Sequence, residues 1–282
     1  MLKFHEKLKT AIHSRRTSFC LGIDPDHRAI MDMASSGGAG AIERALFEYS
    51  GELLRRARAY TEVVKFQSAF FECFGAPGFA GLCSSVKYAK DLGYFVILDA
   101  KRSDIATTMR AYGKMAFEAL DADVLTITPY LGFDTVSALA PWLEKDRGIY
   151  VVLASSNPSG SDIQEFASAS SEQLFESVMR GFILRARQLG FDKSIGFVVG
   201  ATKVEQISQE TWSNLLEYPL LLPGIGAQGA EKIGRLESMG GCRSHLFPIS
   251  RAVVAEWEGN TSDYWSGVES RAKDWSCLFY HD

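Results

Sequence analysis

Nowhere in its 282 residues does the sequence approach the roughly 18 uninterrupted apolar residues of a membrane-spanning helix. Residues 1–17 are polar and lack the apolar centre of a secretory signal, so a cytoplasmic protein is expected. Lys3, Lys7, Lys9, Arg15 and Arg16 leave an organellar transit segment as the alternative. Glu6 and the immediate run into a strand favour a helix over residues 1–17 that covers the bottom of the fold. There is no CxxC pair: Cys20, Cys73, Cys83, Cys242 and Cys277 are odd in number and scattered, and read as reduced thiols. His5, His13, His27, His245 and His281 show no metal-ligand spacing, so no metal is expected. Positive charge is not in excess either. A net charge of −4 argues against nucleic acid as the main partner, although a local basic pocket is compatible with it.

What is present is a rhythm. Short β-branched or apolar runs recur at 18–23, 63–66, 95–98, 124–127, 149–153, 195–199, 220–222 and 245–249. Amphipathic stretches lie between them, such as 42–60 with Leu46, Leu53 and Leu54, and 172–189 with Leu174, Phe175, Val178, Phe182 and Ile183. Such alternation implies parallel strands joined by helical crossovers. Eight units without a shift in composition point to a single (β/α)₈ TIM barrel spanning 1–282, rather than an open doubly wound sheet. Residues 35–40 (SSGGAG) read as a loop, and 157–171, rich in Ser and Gly, as a mobile lid after the fifth strand.

Barrel chemistry occurs where strands end and βα loops begin. Strand one ends at Asp24-Pro25, strand two carries Lys65 and Gln67, and strand three ends at Asp99-Ala-Lys101-Arg-Ser-Asp104. Strand five ends at Ser155-Ser156-Asn157-Pro158, and strand eight at Ser250-Arg251. Asp99 and Lys101 are two apart, which on a regular strand puts them on one face. Charges following the apolar run 95–98 are costly if buried without partners. They read either as an ion pair with Lys65 that fills the barrel mouth, or as an array placed to handle a carboxylate and a proton.

Residues 224–229 (GIGAQG) match G-x-G-x-x-G in form, but a dinucleotide fingerprint belongs after an early strand with an acid about 20 residues on. Here the motif follows the seventh strand, and loops seven and eight form the usual barrel phosphate site. Backbone N–H groups at Gly226 and Gly229 with the guanidinium of Arg251 read as a phosphomonoester handle, an ordinary glycine-rich turn being the alternative.

These residues, taken together, resemble the orotidine 5′-phosphate decarboxylase family. Asp99-Ala-Lys101-Arg-Ser-Asp104-Ile-Ala-Thr-Thr108 is similar to its D-x-K-x-x-D-I-x-x-T signature. GIDPD at 22–26, the lone Lys65, SSNP at 155–158, PGIGAQG at 223–229 and SRA at 250–252 follow the family's order. The D-A-K-R spelling resembles its longer branch. The resemblance implies cofactor-independent conversion of orotidine 5′-monophosphate (OMP) to UMP and CO₂ in de novo pyrimidine biosynthesis. It implies Asp24 on a ribose hydroxyl, Lys65 between ribose and the charged array, Asp99 against the substrate carboxylate and Lys101 as proton donor to C6. Ser155, or alternatively Ser156, would contact the pyrimidine, and Gln228 and Arg251 the phosphate. Asp104 and Thr108 would reach into the neighbouring subunit's site of a homodimer. D-x-K-x-x-D is shared with Mg²⁺-dependent hexulose-phosphate synthases, in which an acid replaces the strand-two lysine; Lys65 argues against that reading. A phosphate-binding barrel without activity is the non-enzyme alternative, and it would predict a broken Asp/Lys array.

Overall fold

The computed structural model describes residues 2–35, 38–167, 172–225 and 244–280. Its strands are β1 (Phe19–Ile23), β2 (Val63–Gln67), β3 (Phe95–Arg102), β4 (Val124–Ile127), β5 (Gly148–Ala154), β6 (Ile195–Val199), β7 (Leu220–Leu221) and β8 (Phe247–Ile249). All neighbouring pairs are parallel, in the order β7-β6-β5-β4-β3-β2-β1-β8. Leu246 brings the two ends of this sheet together. Its N–H donates to the Leu220 carbonyl at 2.8 Å, and its carbonyl accepts from the Leu222 N–H at 2.9 Å. With helices between the strands, the result is a (β/α)₈ TIM barrel.

The strand runs are apolar on both faces because both faces are covered. Cys20, Val63, Phe95, Ile97, Val124, Tyr150, Val198, Leu221 and Leu246 form an inner cluster. Leu21, Val64, Val96, Leu98, Leu125, Ile149 and Phe197 belong to the larger cluster shared with the helices. The crossovers follow the amphipathic pattern with shifted ends. The stretch expected at 42–60 is the helix Ala39–Ala57, which buries Leu46, Tyr49, Leu53 and Leu54. The stretch expected at 172–189 is the helix Leu174–Leu189, started by a Gln173/Glu176 capping box and ended by Gly190 at φ 73°. Within 157–171, residues Pro158–Gly160 form a 3₁₀ turn and Ser161–Gln164 a short helix; 168–171 lie outside the described residues. No helix among the described residues is long and apolar enough to cross a membrane.

The first helix, Phe4–Arg15, lies across the N-terminal ends of the strands. Phe4, Leu8 and Ile12 join the inner cluster. Phe4 stacks on Phe95 at 6.2 Å and meets Tyr150 edge-on at 5.4 Å. Gly148 makes room for it, since a Cβ there would lie 2.4 Å from the Phe4 ring. Beside Phe4, the buried His5 contacts the Ile195 carbonyl through Nε2 at 2.7 Å. Burial outweighs that hydrogen bond and lowers the His5 pKa to about 4 from 6.5.

A lowered histidine value means that the unfolded chain takes up a proton first as pH falls. His5 therefore contributes stability that is full above pH 6.5 and is lost progressively towards pH 4. Urea unfolding should give a free energy about 2 kcal/mol lower at pH 5 than at pH 7 from this group. In His5→Gln, which keeps a donor but cannot titrate, that part of the pH dependence should vanish. An unchanged difference would assign the acid sensitivity to other groups.

Candidate active site

The C-terminal ends of β1, β2 and β3 bring four charged side chains together. The Lys65 ammonium lies 3.1 Å from Asp99 Oδ2 and 3.8 Å from Asp24 Oδ1. The Lys101 ammonium lies 2.6 Å from Asp99 Oδ1. Lys65 and Asp99 are each only 6% exposed, whereas the Lys101 side chain is 44% exposed and faces the open mouth. The chain thus alternates carboxylate, ammonium, carboxylate, ammonium, from a buried interior to an accessible end.

Regular strand alternation does not produce this arrangement. β3 pairs in register with β4 up to Leu98↔Leu125 and again at Arg102↔Ile127, with a bulge between. Lys101 sits in that bulge at φ 49°, a left-handed conformation unusual for a residue with a long side chain. Its N–H donates to Thr126 Oγ1 at 2.9 Å, and the same hydroxyl donates to Asp99 Oδ1 at 2.9 Å. The expectation that Asp99 and Lys101 share a face by two-residue periodicity is therefore right in outcome and wrong in cause. The bulge aims Lys101 back at Asp99, and Thr126 on β4 holds both.

Among the described residues Asp99 receives four donors. Lys101 and Thr126 serve Oδ1, and Lys65 and the Gln67 amide (3.1 Å) serve Oδ2. Burial alone would push this carboxyl up, but Lys65 and then Lys101 hold it down at about 2. Burial opposes the charge on Lys65 as well, and Asp99 followed by Asp24 more than offsets it, so its pKa is raised. Asp99 consequently contributes stability above its ordinary 3.8 that is lost as pH falls towards 2. Lys65 contributes below 10.5, and loses that contribution as pH rises through its folded value.

Asp24 is held differently. Ser250 donates to its Oδ2 at 2.7 Å, while the buried Oδ1 has no hydrogen-bond donor among the described residues. Gly22 permits this approach, since a Cβ there would lie 2.7 Å from Ser250 Cβ. A buried carboxylate oxygen with an unused lone pair is suited to accept from a ligand hydroxyl.

The remaining expected residues lie around this array. Arg251 opens the short helix Arg251–Val254 directly after β8 and is exposed, and no carboxylate pairs with it among the described residues. Gly226, Gln228 and Gly229 lie outside the described residues. The visible start of that loop, Gly224 at φ 94°, passes close to Ser156, where a Cβ would come within 3.3 Å. Ser155 contacts none of the four charged groups; it bonds to Asn157 and Gln164. Among the described residues Asp104 accepts from the Ile105 N–H alone, at 2.7 Å, and Thr108 is exposed on the helix Ala106–Lys114. Neither joins its own chain's array. Thr126 and Gln164 carry no signal that the sequence reading used, and Ser250 enters it only as the end of the eighth strand and the start of SRA, without its contact to Asp24. Thr126 is concealed in the apolar run VLTI, where its one polar atom is the only signal.

Comparison with known proteins identifies the family. The family model described as "Orotidine 5′-phosphate decarboxylase / HUMPS family" matches residues 17–255. An orotidine 5′-phosphate decarboxylase of Herpetosiphon aurantiacus is 32% identical over 254 residues, covering 89% of each chain. One of Salinispora tropica is 36% identical over 251 residues, covering 85% of this chain and 86% of its own. Among solved structures, the OMP decarboxylase of Leishmania donovani superposes with a TM-score of 0.73 at 26% identity, covering 98% of both chains. With the match extending from the start of β1 to beyond β8, the chain belongs to the orotidine 5′-phosphate decarboxylase / HUMPS family.

Proposed function

We propose that this protein decarboxylates OMP to UMP in pyrimidine biosynthesis, with Lys101 as the proton donor and no metal or organic cofactor. The carrying observation is the alternating Asp24, Lys65, Asp99, Lys101 array at the barrel mouth, desolvated at its base and open at Lys101. Breaking the C6–carboxylate bond leaves an electron pair on C6 with little delocalisation. An ammonium fixed nearby stabilises that charge as it develops and then delivers a proton. Lys101 has the exposure and the rigid backbone for this task. Asp99, fully ionised, keeps the ammonium oriented and presents negative charge to the departing carboxylate.

Lys65 favours decarboxylation over a Mg²⁺-dependent aldol reaction. Its ammonium lies between Asp24 and Asp99, where a divalent cation would have to sit to use both carboxylates. Asp24 Oδ1, 3.8 Å from the Lys65 ammonium and without a hydrogen-bond donor among the described residues, suits a ribose hydroxyl. Arg251, with Gln228 and the Gly226 and Gly229 backbone, would hold the phosphate. That binding lies far from the reacting carbon, yet its energy is available to assemble the site. In this reading the enzyme works in the cytoplasm as a homodimer whose subunits exchange Asp104 and Thr108 across the interface. The absence of any role for Asp104 in its own array supports the exchange, as does the exposure of Ile105 (66%) and Tyr130 (84%) beside the mouth.

The direct test is incubation with OMP in EDTA while UMP and CO₂ are followed. Wild-type chain should turn over, and Lys101→Ala should lose at least about 10³-fold in kcat while circular dichroism still shows a folded barrel. Near-normal turnover of that variant would remove Lys101 from the proton-donor role, and a requirement for Mg²⁺ would favour the aldol reading.

Shared sites make a second prediction. In a hybrid dimer of Lys101→Ala and Asp104→Asn chains, one site collects both defects and the other has neither. Equal random mixing of the two nearly inactive proteins should restore about a quarter of wild-type activity. If subunits demonstrably exchange and the mixture stays inactive, Asp104 acts within its own chain.

A further inference from the structure

Ser155, directly after β5, is met by the side-chain amide of Gln164 from the short helix Ser161–Gln164. The Ser155 N–H donates to Gln164 Oε1 at 2.8 Å. Gln164 Nε2 donates back to Ser155 Oγ at 2.7 Å. The serine hydroxyl spends its own proton on Asn157 Oδ1 at 2.6 Å. One residue therefore presents a donor and an acceptor side by side, and one carboxamide edge fills both.

Room for this contact is provided for. Gly160 has φ −58°, a conformation open to any residue, so no backbone requirement explains a glycine there. A Cβ at Gly160 would lie 2.9 Å from both Gln164 Oε1 and Ser155 Oγ. The adjacent Glu165 is tied to Lys203 at 2.5 Å, which fixes the short helix against the loop after β6. On its other side Gln164 borders an apolar cavity of about 330 Å³, lined also by Pro129, Val152, Leu153 and Phe175. The side chain thus has a place to go if it leaves Ser155.

A pyrimidine-2,4-dione carries the same edge as a carboxamide: a carbonyl acceptor next to an N–H donor. We propose that Gln164 is a built-in stand-in for that edge, occupying the base-reading position at Ser155 in the free protein and leaving it when a uracil or orotate ring arrives. This rests on the reading of Ser155, rather than Ser156, as the residue that meets the pyrimidine. The physical benefit is that the part-buried Ser155 N–H keeps a partner in the free protein, so the free site needs no reorganisation of β5. The consequence is competition, because each ligand must displace an internal amide, which lowers apparent affinity and rejects rings that lack the acceptor–donor edge.

Calorimetric binding of UMP and of ribose 5-phosphate to the full chain tests this. Gln164→Ala removes the competitor and should bind UMP about three- to ten-fold tighter, the range of one net hydrogen bond. Gln164→Glu still accepts from the Ser155 N–H, more strongly as an anion, and should bind UMP more weakly by a similar factor. Ribose 5-phosphate, which has no base, should respond to neither change. A merely structural Gln164 would weaken UMP binding in both variants, and that outcome, or unchanged affinity in Gln164→Ala, overturns the proposal. The underlying reading of Ser155 is checked in the Gln164→Ala background, where no internal amide compensates. There Ser155→Ala should weaken UMP binding. If it does not, Ser155 does not read the base, and the reading and the proposal fall together. If it does, while Gln164→Ala alone binds UMP no tighter than wild type, only the stand-in role fails.

Discussion

The Asp99 carboxylate is the constraint around which the barrel mouth is organised. It is nearly buried, and an isolated carboxylate in that position would protonate or draw in water. Lys65 and Lys101 prevent this from opposite sides, and Gln67 and Thr126 complete its hydrogen bonds. Each partner in turn depends on Asp99. Lys65 is buried too, and Lys101 is turned inward by a bulge that Thr126 fastens. Removing one member would leave a desolvated charge uncompensated, which costs far more than an exposed ion pair contributes. The array is thus poor as a source of stability; in the proposed reading it serves as a fixed electrostatic field for a reaction that builds charge on carbon.

The rest of the molecule supports that field in two ways. Below it, the barrel interior is closed by Phe4, Leu8 and Ile12 against Phe95 and Tyr150, so the strands that carry the charges cannot easily shift. Above it, the ends of β1 and β8 approach closely at Gly22, which places Ser250 on Asp24 and leaves one oxygen of that carboxylate without a hydrogen-bond donor among the described residues. A rigid base and a partly unsatisfied rim are the combination expected of a preorganised site.

Much of this was legible in the sequence, for physical reasons. Strands buried on both faces must be continuous apolar runs, so all eight could be located, and β4 and β6 fall at 124–127 and 195–199 as expected. Charges directly after such runs, and the lone lysine carried within the second, pointed to the mouth, which singled out Asp24, Asp99 and Lys101 together with Lys65. The bulge was not legible, because two extra residues in a strand change the path of the backbone without changing composition. Thr126 was missed for a related reason: a threonine suits a strand by shape, and its hydroxyl matters only once the bulge brings two partners to it. Gln164 was missed because its partner, nine positions away, is set by a turn and a short helix within a stretch whose composition suggested only mobility. Loop ends and helix starts shifted by a few residues, as at Ala39–Ala57, since caps rather than periodicity decide them.

The account depends on Asp99 remaining an anion between two cations, and that state can be observed directly. Carboxyl ¹³C resonances of aspartate-labelled protein, with Asp99 assigned by its loss in Asp99→Asn, would be followed as pH is lowered while the fold persists. Asp99 should stay ionised through the range in which exposed aspartates titrate, with any midpoint near 2. A midpoint at or above the ordinary 3.8 would mean that Lys65 and Lys101 do not hold the charge, and the electrostatic reading of the site would be contradicted.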